Sequence, residues 1–307
     1  MKIIVTGGAG FIGSHLVDKL IENKHQVAVI DDLSRGSEKN LNPKAEFYKI
    51  KIQDSEVSFV FKKENPDIVF HLAALINVQE SIADPILYAE NNISGSLNIF
   101  ENCKKSNVKK IVFSSSGGAI YIEGAVIPTS EDSIESPFSP YGITKLAAEK
   151  YLQYYHKAFD VSFISLRYSN IYGPRQNSEG EGGVIAVFFD KMMKKEQPVI
   201  SGDGKQTRDF LYVDDAVSAN ISAMESDKTG IFNISTGKET DINSVFKKIK
   251  DMTNSSFSEV YSPVLIKEQK RSCLNYEKAK VELNWQPKTD MDKGLSLLFQ
   301  YLRKNDV

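Results

Sequence analysis

This 307-residue chain is poor in the residues that build metal sites and disulfide frameworks. Its two cysteines, Cys103 and Cys273, lie far apart without metal spacing, and its four histidines are dispersed. No disulfide and no metal site are expected, and the cysteines read as reduced thiols of a cytoplasmic protein. Neither sign of charge dominates: 38 Lys+Arg against 40 Asp+Glu give a net charge of −2. With the lysines scattered, neither nucleic acid nor an anionic membrane surface is implied as a partner. The first residues already form a strand-like run, and no long apolar stretch follows, so neither a signal peptide nor a membrane span is expected. Internal repeats and low-complexity tracts are also missing. What is present is an apolar fraction of 41%, enough for a full core in one large or two modest domains.

Strand-like apolar runs alternate with helical periodicity. Lys2–Thr6, Gln26–Ile30, Phe47–Ile52, Ile68–Leu72, Lys110–Ser114 and Val161–Leu166 are each separated by a stretch long enough for a crossover helix. This alternation predicts an α/β fold, a Rossmann-type doubly wound parallel sheet. Ligands of such a sheet bind at the carboxyl ends of the strands. Asp31, His71-Leu-Ala-Ala74, Ser114 to Ser116 and Arg167 to Asn170 fall there. After Gly173-Pro174 the chain is more irregular, with a glycine-rich polar stretch over 176–183 and a turn at Gly202-Asp-Gly-Lys205. The expected division is a dinucleotide-binding domain over 1–171 and a smaller, mixed α/β substrate domain over 172–307, with 209–237 returning to the first.

The first strand runs into Gly7-Gly-Ala-Gly10-Phe11-Ile12-Gly13 and then an amphipathic stretch. Strand, glycine turn and helix are the context a dinucleotide fingerprint requires. Gly7 permits the tight turn, Gly10 lets backbone approach a pyrophosphate, and Gly13 allows close helix packing. Asp31 ends the second strand, eighteen residues after Gly13. A carboxylate there suits both hydroxyls of an adenosine ribose and repels a 2′-phosphate, which favours NAD over NADP. Arg35 is the counterweight, because a guanidinium could accept that phosphate.

Tyr141-Gly-Ile-Thr-Lys145 follows the hydroxyl run Ser114-Ser115-Ser116, with twenty-five residues from Ser116 to Tyr141. Four residues apart on a helix, the phenol and the ammonium share one face. Positive charge beside a phenol favours its ionised form, so Tyr141 is a candidate general base. Spacing alone is weak support, since Tyr276 and Lys280 repeat it. The serine run and the glycine loop distinguish Tyr141.

Together with Asp31-Asp-Leu-Ser-Arg-Gly36, Asn92-Ile-Ser-Gly95, Arg167-Tyr-Ser-Asn170, Tyr172-Gly-Pro-Arg175, Gly202-Asp-Gly-Lys-Gln-Thr-Arg-Asp-Phe210 and Leu283-Asn-Trp285, these motifs resemble the extended short-chain dehydrogenases/reductases of the NAD-dependent epimerase/dehydratase family. The likeness is strongest to UDP-glucose 4-epimerases. It implies NAD as cofactor, a UDP-hexose as substrate, 4-epimerisation through a 4-keto sugar, and a homodimer pairing helices near Asn92–Lys104 and Tyr141–Lys157. It also implies Tyr141 as base, Lys145 on the nicotinamide ribose and Ser116 at the sugar 4-oxygen. Around the cofactor it places Gly7, Gly10, Phe11, Ile12, Gly13, Asp31, Asp32, Ser34, Gly36, Ile52, Leu72, Ala73, Ala74, Asn92, Ser114 and Tyr168. Asn170, Val184, Arg208 and Ser272 would face the substrate. Ser272 stands where some members carry a bulky tyrosine that excludes N-acetylated sugars.

Several departures leave alternatives open. Aligning on Tyr121 instead of Tyr141 would put Gly117 at the catalytic hydroxyl, and Ser115 is a reserve for Ser116. Lys51 replaces a common aspartate for the adenine amino group, with Asp54 nearby. Leu265-Ile-Lys-Glu268 replaces a common Arg-Pro-Gly-Glu, leaving Lys267 or Arg271 as substitutes for a phosphate-binding arginine. A sugar-nucleotide dehydratase would need an Asp-Glu pair where Gly117-Gly118 stand. A silent NAD-binding sensor would need only the glycine loop and Asp31.

Overall fold

Lys2–Thr6, buried from Ile3 onward, forms β1, an interior strand of a seven-stranded parallel sheet. The computed structural model describes residues 1–178, 183–263 and 269–305. The glycine turn leads into helix α1 (Phe11–Glu22), which buries Leu16, Val17 and Leu20 against the sheet. β2 (Gln26–Ile30), β3 (Glu46–Tyr48), β4 (Ile68–His71), β5 (Lys110–Ser116) and β6 (Ser162–Tyr168) follow. The spatial order is Gly230–Ile234, β6, β5, β4, β1, β2, β3. The order reverses between β1 and β4, and that switch point opens a crevice at the carboxyl ends of the strands.

Each face of the sheet carries its own apolar layer. One contains Val5, Leu16, Val112, Leu166 and Phe232; the other contains Ile4, Phe61, Phe100, Phe113 and Leu152. Strands buried on both faces read as continuous apolar runs, which is why β1 and β2 were legible at their bounds.

Several strand ends differ from expectation, among them β4, which stops at His71 and not at Leu72. β3 stops at Tyr48 and not at Ile52, because the Ile50 amide turns back onto the Tyr48 carbonyl at 3.1 Å. β5 continues past Ser114 to Ser116, and β6 runs to Tyr168, because Ser115 and Ser116 remain in register with Arg167 and Tyr168. Polar residues there obscured strands that the ladder extends.

The chain returns to the large sheet after residue 209. The Val213–Glu225 helix packs beside α1, and Gly230–Ile234 pairs with β6. Ala279, Leu283 and Trp285, which the sequence reading assigned to the smaller domain, also belong to the core of the large sheet. The smaller lobe is built on short two- and three-stranded sheets and on the helices Val184–Met193, Ile242–Thr253 and Met291–Lys304. Its own core includes Phe188, Phe189, Phe246, Ile249 and Leu298. Arg175 binds Asp18 of α1 at 2.8 Å, and His15 Nε2 donates to the Pro174 carbonyl at 2.9 Å, fastening the connection between lobes. Leu265 to Glu268, with the candidate Lys267, lie outside the described residues, as do 179–182 of the glycine-rich stretch.

Candidate active site

The glycine loop forms a cradle that side chains would fill. Gly7 has φ +72°, and a Cβ there would lie 2.7 Å from the Ala73 amide nitrogen; one at Gly13 would lie 2.1 Å from the Gly7 carbonyl oxygen. Gly10 caps α1 without a side-chain hydrogen bond, so the first-turn amides are left to a ligand. The Asp31 carboxylate accepts from the Ala9 amide at 3.0 Å and the Leu33 amide at 2.8 Å. Burial nonetheless raises its pKa, against the pull of those two hydrogen bonds. Arg35 is held 2.6 Å from Glu80.

A hydrogen-bond chain fixes the turn after β4. The Ala73 amide donates to Thr6 Oγ1 at 3.2 Å; Thr6 Oγ1 lies 2.7 Å from His71 Nδ1, and His71 Nε2 lies 2.9 Å from Ser96 Oγ. Ser96 gives its own proton to the Asn92 carbonyl, so a neutral His71 protonated at Nε2 satisfies every partner. Burial supports that state by lowering the His71 pKa to about 3. Asn92 accepts from the Leu75 amide and donates to the Leu75 carbonyl, both at 2.8 Å.

Tyr141 and Lys145 lie one turn apart at the start of the Pro140–Phe159 helix. Ser139 caps it, accepting from the Gly142 amide at 3.1 Å, and Pro140 occupies the first turn. Lys145 Nζ donates to the Ser114 carbonyl at 2.7 Å and lies over the Phe113 ring at 5.0 Å. Burial brings the Lys145 pKa down to about 7, with Glu149 opposing the shift. Ser116, the last residue of β5, reaches the same cavity as Tyr141. Tyr121 is a core residue whose hydroxyl donates to Asn233 Oδ1 at 2.8 Å, and a Cβ on Gly117 would lie 2.3 Å from Leu274 Cδ1. Ser115 Oγ is buried without a hydrogen-bond partner.

One cavity of about 1210 Å³ joins these parts across the switch point. It is lined by the glycine loop, Asp31, Asp32, Ser34, Gly36, Ile52, Leu72 to Ala74, Ser114, Ser116, Tyr141, Lys145 and Tyr168, and further out by Asn170, Val184, Arg208 and Ser272. Tyr168 is buried, with its hydroxyl accepting from Asn220 Nδ2 at 2.7 Å. Val184 opens a helix whose cap, Gly183, offers no side-chain bond. Arg208 donates to the Thr207 carbonyl at 2.8 Å, and the buried Asp209 next to it accepts from Thr236 and Gly237.

Of the residues assigned to the cofactor, Asn92 alone does not line the cavity; it is buried behind it and acts on the Leu75 backbone. Arg167, grouped by sequence with the strand-end residues, is fully buried beneath the Pro140–Phe159 helix in an ion pair with Glu149. Arg271 pairs with Glu239 on the surface and does not reach the cavity. Neither Lys51 nor Asp54 lines it; the Asp54 carboxylate accepts from the Lys51 amide at 2.9 Å. Gln53, Phe138 and Gln176 line it unforeseen, because single amides and aromatics outside a motif carry no sequence signal. Among the described lining residues the carboxylates are Asp31 and Asp32, both at the end away from Tyr141. The described residues hold no group of three or more side chains suited to a metal ion, and no helix among them is long and apolar enough to cross a membrane.

Residues 3–235 match the NAD dependent epimerase/dehydratase family. A UDP-glucose 4-epimerase from Thermotoga maritima, solved with UDP-glucose, is 47% identical with a TM-score of 0.98, over 99% of each chain. The UDP-glucose 4-epimerase of Thermus thermophilus, solved with NAD, is 35% identical with a TM-score of 0.95, over 100% of each chain. A UDP-N-acetylglucosamine 4-epimerase from Methanobrevibacter ruminantium, in complex with UDP-N-acetylmuramic acid, is 37% identical with a TM-score of 0.93, over 99% of this chain and 98% of that one.

Proposed function

The chain belongs to the NAD dependent epimerase/dehydratase family, and on that premise we propose that it interconverts the C4 epimers of a UDP-hexose. The observation that carries this reading is the single cavity in which Ser116, Tyr141 and Lys145 stand between the dinucleotide cradle and Arg208. The residues present fit NAD: the crowded glycines leave room only for a close ligand, the uncapped first turn of α1 suits a pyrophosphate, and Asp31 ends β2 beside it. When bound, NAD supplies the hydride acceptor and donor for the sugar C4.

The side chains do the rest. Tyr141 takes the proton of the sugar 4-hydroxyl and later returns one to the 4-keto oxygen, while Ser116 donates a hydrogen bond to that oxygen. Lys145, anchored on the Ser114 carbonyl, supplies positive charge beside the phenol in its protonated form, which its pKa of about 7 leaves populated near neutrality. Arg208 and the uncapped amides at Val184 suit the substrate diphosphate, so the sugar can turn while its tether is held. The dehydratase alternative would need acid and base carboxyls near Tyr141. The described residues put none on the cavity wall there, and Gly118 faces Ser272 instead.

Ser272 places a small side chain on the cavity wall beside Gly118, where an added Cβ would be in van der Waals contact with its Oγ at 3.6 Å. We read this as space for a 2-acetamido group, so UDP-N-acetylglucosamine is a substrate beside UDP-glucose. Product analysis with both sugars tests the function, and Ser272→Tyr tests the pocket. The variant should lose N-acetyl turnover at least tenfold more than UDP-glucose turnover, as kcat/KM. Inert wild type on both sugars contradicts the function; an unchanged ratio removes Ser272 from it.

An apolar face supports a homodimer. Ile82, Ile86 and Leu87 are exposed on short helices that pack against Pro140–Phe159, which itself exposes Ile143, Tyr151, Tyr154 and Phe159. Such a stripe favours burial against a second copy. The Gly95–Lys105 helix contributes no comparable exposed apolar residues. Sedimentation should give about twice the 34.3 kDa chain mass, and a monomer at micromolar concentration would refute it.

A further inference from the structure

Lys145 and Glu149 stand one turn apart on the Pro140–Phe159 helix, and both are buried. The Glu149 carboxylate is held from the sheet. Arg167 of β6 donates from Nε to its Oε1 at 3.0 Å and from Nη2 to its Oε2, and Ser165 Oγ donates to Oε1 at 2.8 Å. The preceding turn is fastened to the neighbouring strand, where Lys145 Nζ donates to the Ser114 carbonyl. Two buried polar anchors thus fix the helix to β5 and β6 in the two turns that follow Tyr141.

The same carboxylate acts on Lys145. Opposite charges four residues apart on a helix face are neighbours, and burial leaves little solvent to screen them. Glu149 is the charge that opposes the effect of burial on the ammonium. Arg167 is shared with Glu135, and the Tyr121 ring lies 4.9 Å from the guanidinium, so Arg167 is not spent on Glu149 alone. Lys150 meets Glu135 from the exposed side.

The other titratable groups near the helix are engaged elsewhere. His71, across β4, is neutral. The segments Val78–Ala83, Ala89–Ser94 and Gly95–Lys105 pack against the helix and carry Glu80, Glu90 and Glu101. Glu80 binds Arg35 and Tyr88, Glu101 binds Lys104 and Tyr155, and Glu90 is exposed.

We propose that Glu149 is a positioning residue for the epimerisation: bound by Arg167 and Ser165, its carboxylate holds the turn carrying Lys145 on the sheet and favours the ammonium form beside Tyr141. The assignment rests on the roles of Tyr141 and Lys145 given above.

The test is the pH dependence of kcat for UDP-glucose turnover by the NAD-loaded full chain. Where turnover needs the Lys145 ammonium, activity falls as pH rises through the pKa of that group. Glu149→Gln keeps an acceptor for Arg167 and Ser165 but removes the charge. It should move the alkaline limb about one pH unit toward acid, so that kcat at a fixed pH on that limb falls about tenfold. Glu149→Asp keeps the charge, and its limb should lie nearer to the wild type than to the glutamine variant, even if its kcat is lower. If the single glutamine variant folds poorly, Glu149→Gln combined with Arg167→Gln removes both buried charges together and should move the limb in the same direction. Coincident alkaline limbs in the wild type and a glutamine variant, however far kcat falls, overturn the assignment, because they leave Glu149 with packing alone. Failure of both glutamine variants to fold overturns it too, making the pair a requirement of folding. A wild type inert on both UDP-sugars would instead refute the function beneath it.

Discussion

Lys145 Nζ lies 2.7 Å from the carbonyl oxygen of Ser114, so one buried hydrogen bond joins the helix carrying Tyr141 to the strand carrying Ser116. The bond orients the ammonium but satisfies only one of its three donors. The rest of its solvation is lost to burial, and this lowers its pKa to about 7.

That shift has a sign in stability. Between about pH 7 and the unfolded lysine value near ~10.4, the unfolded chain binds the extra proton, so stability rises with pH across that window. The cofactor-free wild type should therefore gain about 2 kcal/mol from pH 7 to pH 9 relative to Lys145→Met. Urea denaturation at both pH values measures it. Parallel profiles for the two proteins would mean that Lys145 stays charged through the window.

Asp31 should make the protein select NAD over NADP, because a 2′-phosphate would be forced against its carboxylate. Arg35, the residue best placed to reverse this, is held 2.6 Å from Glu80. Titration of cofactor-free protein should show NAD binding at least tenfold tighter, and Asp31→Ser should narrow the gap. Equal affinities in the wild type would transfer control to Arg35.

Local chemistry made the dinucleotide half of the site legible in sequence. Gly7 and Gly13 meet backbone atoms so closely that no side chain could stand there, and such constraints leave fixed glycines in the chain. The Tyr141 and Lys145 pair was legible by its company, whereas Tyr276 packs edge-on against the core residue Trp285 and Lys280 pairs with Glu277 on the surface. What could not be read was burial of charge. Glu149 and Arg167 look like a solvated helix face and a strand-end site residue, yet both are fully buried and bound to each other. The only available signal was that Glu149 falls one turn beyond Lys145 on the same face.

The central claim is that the hydrogen at the sugar C4 leaves and returns as hydride while Tyr141 handles the hydroxyl proton. The measurement that tests it most directly is the C4 deuterium content of UDP-galactose formed from UDP-glucose in deuterated water. Wild type should give product without deuterium at C4, since the hydride never exchanges with solvent, and Tyr141→Phe should form that product at least 10²-fold more slowly. Deuterium at C4, or near-normal conversion by Tyr141→Phe, would contradict the account.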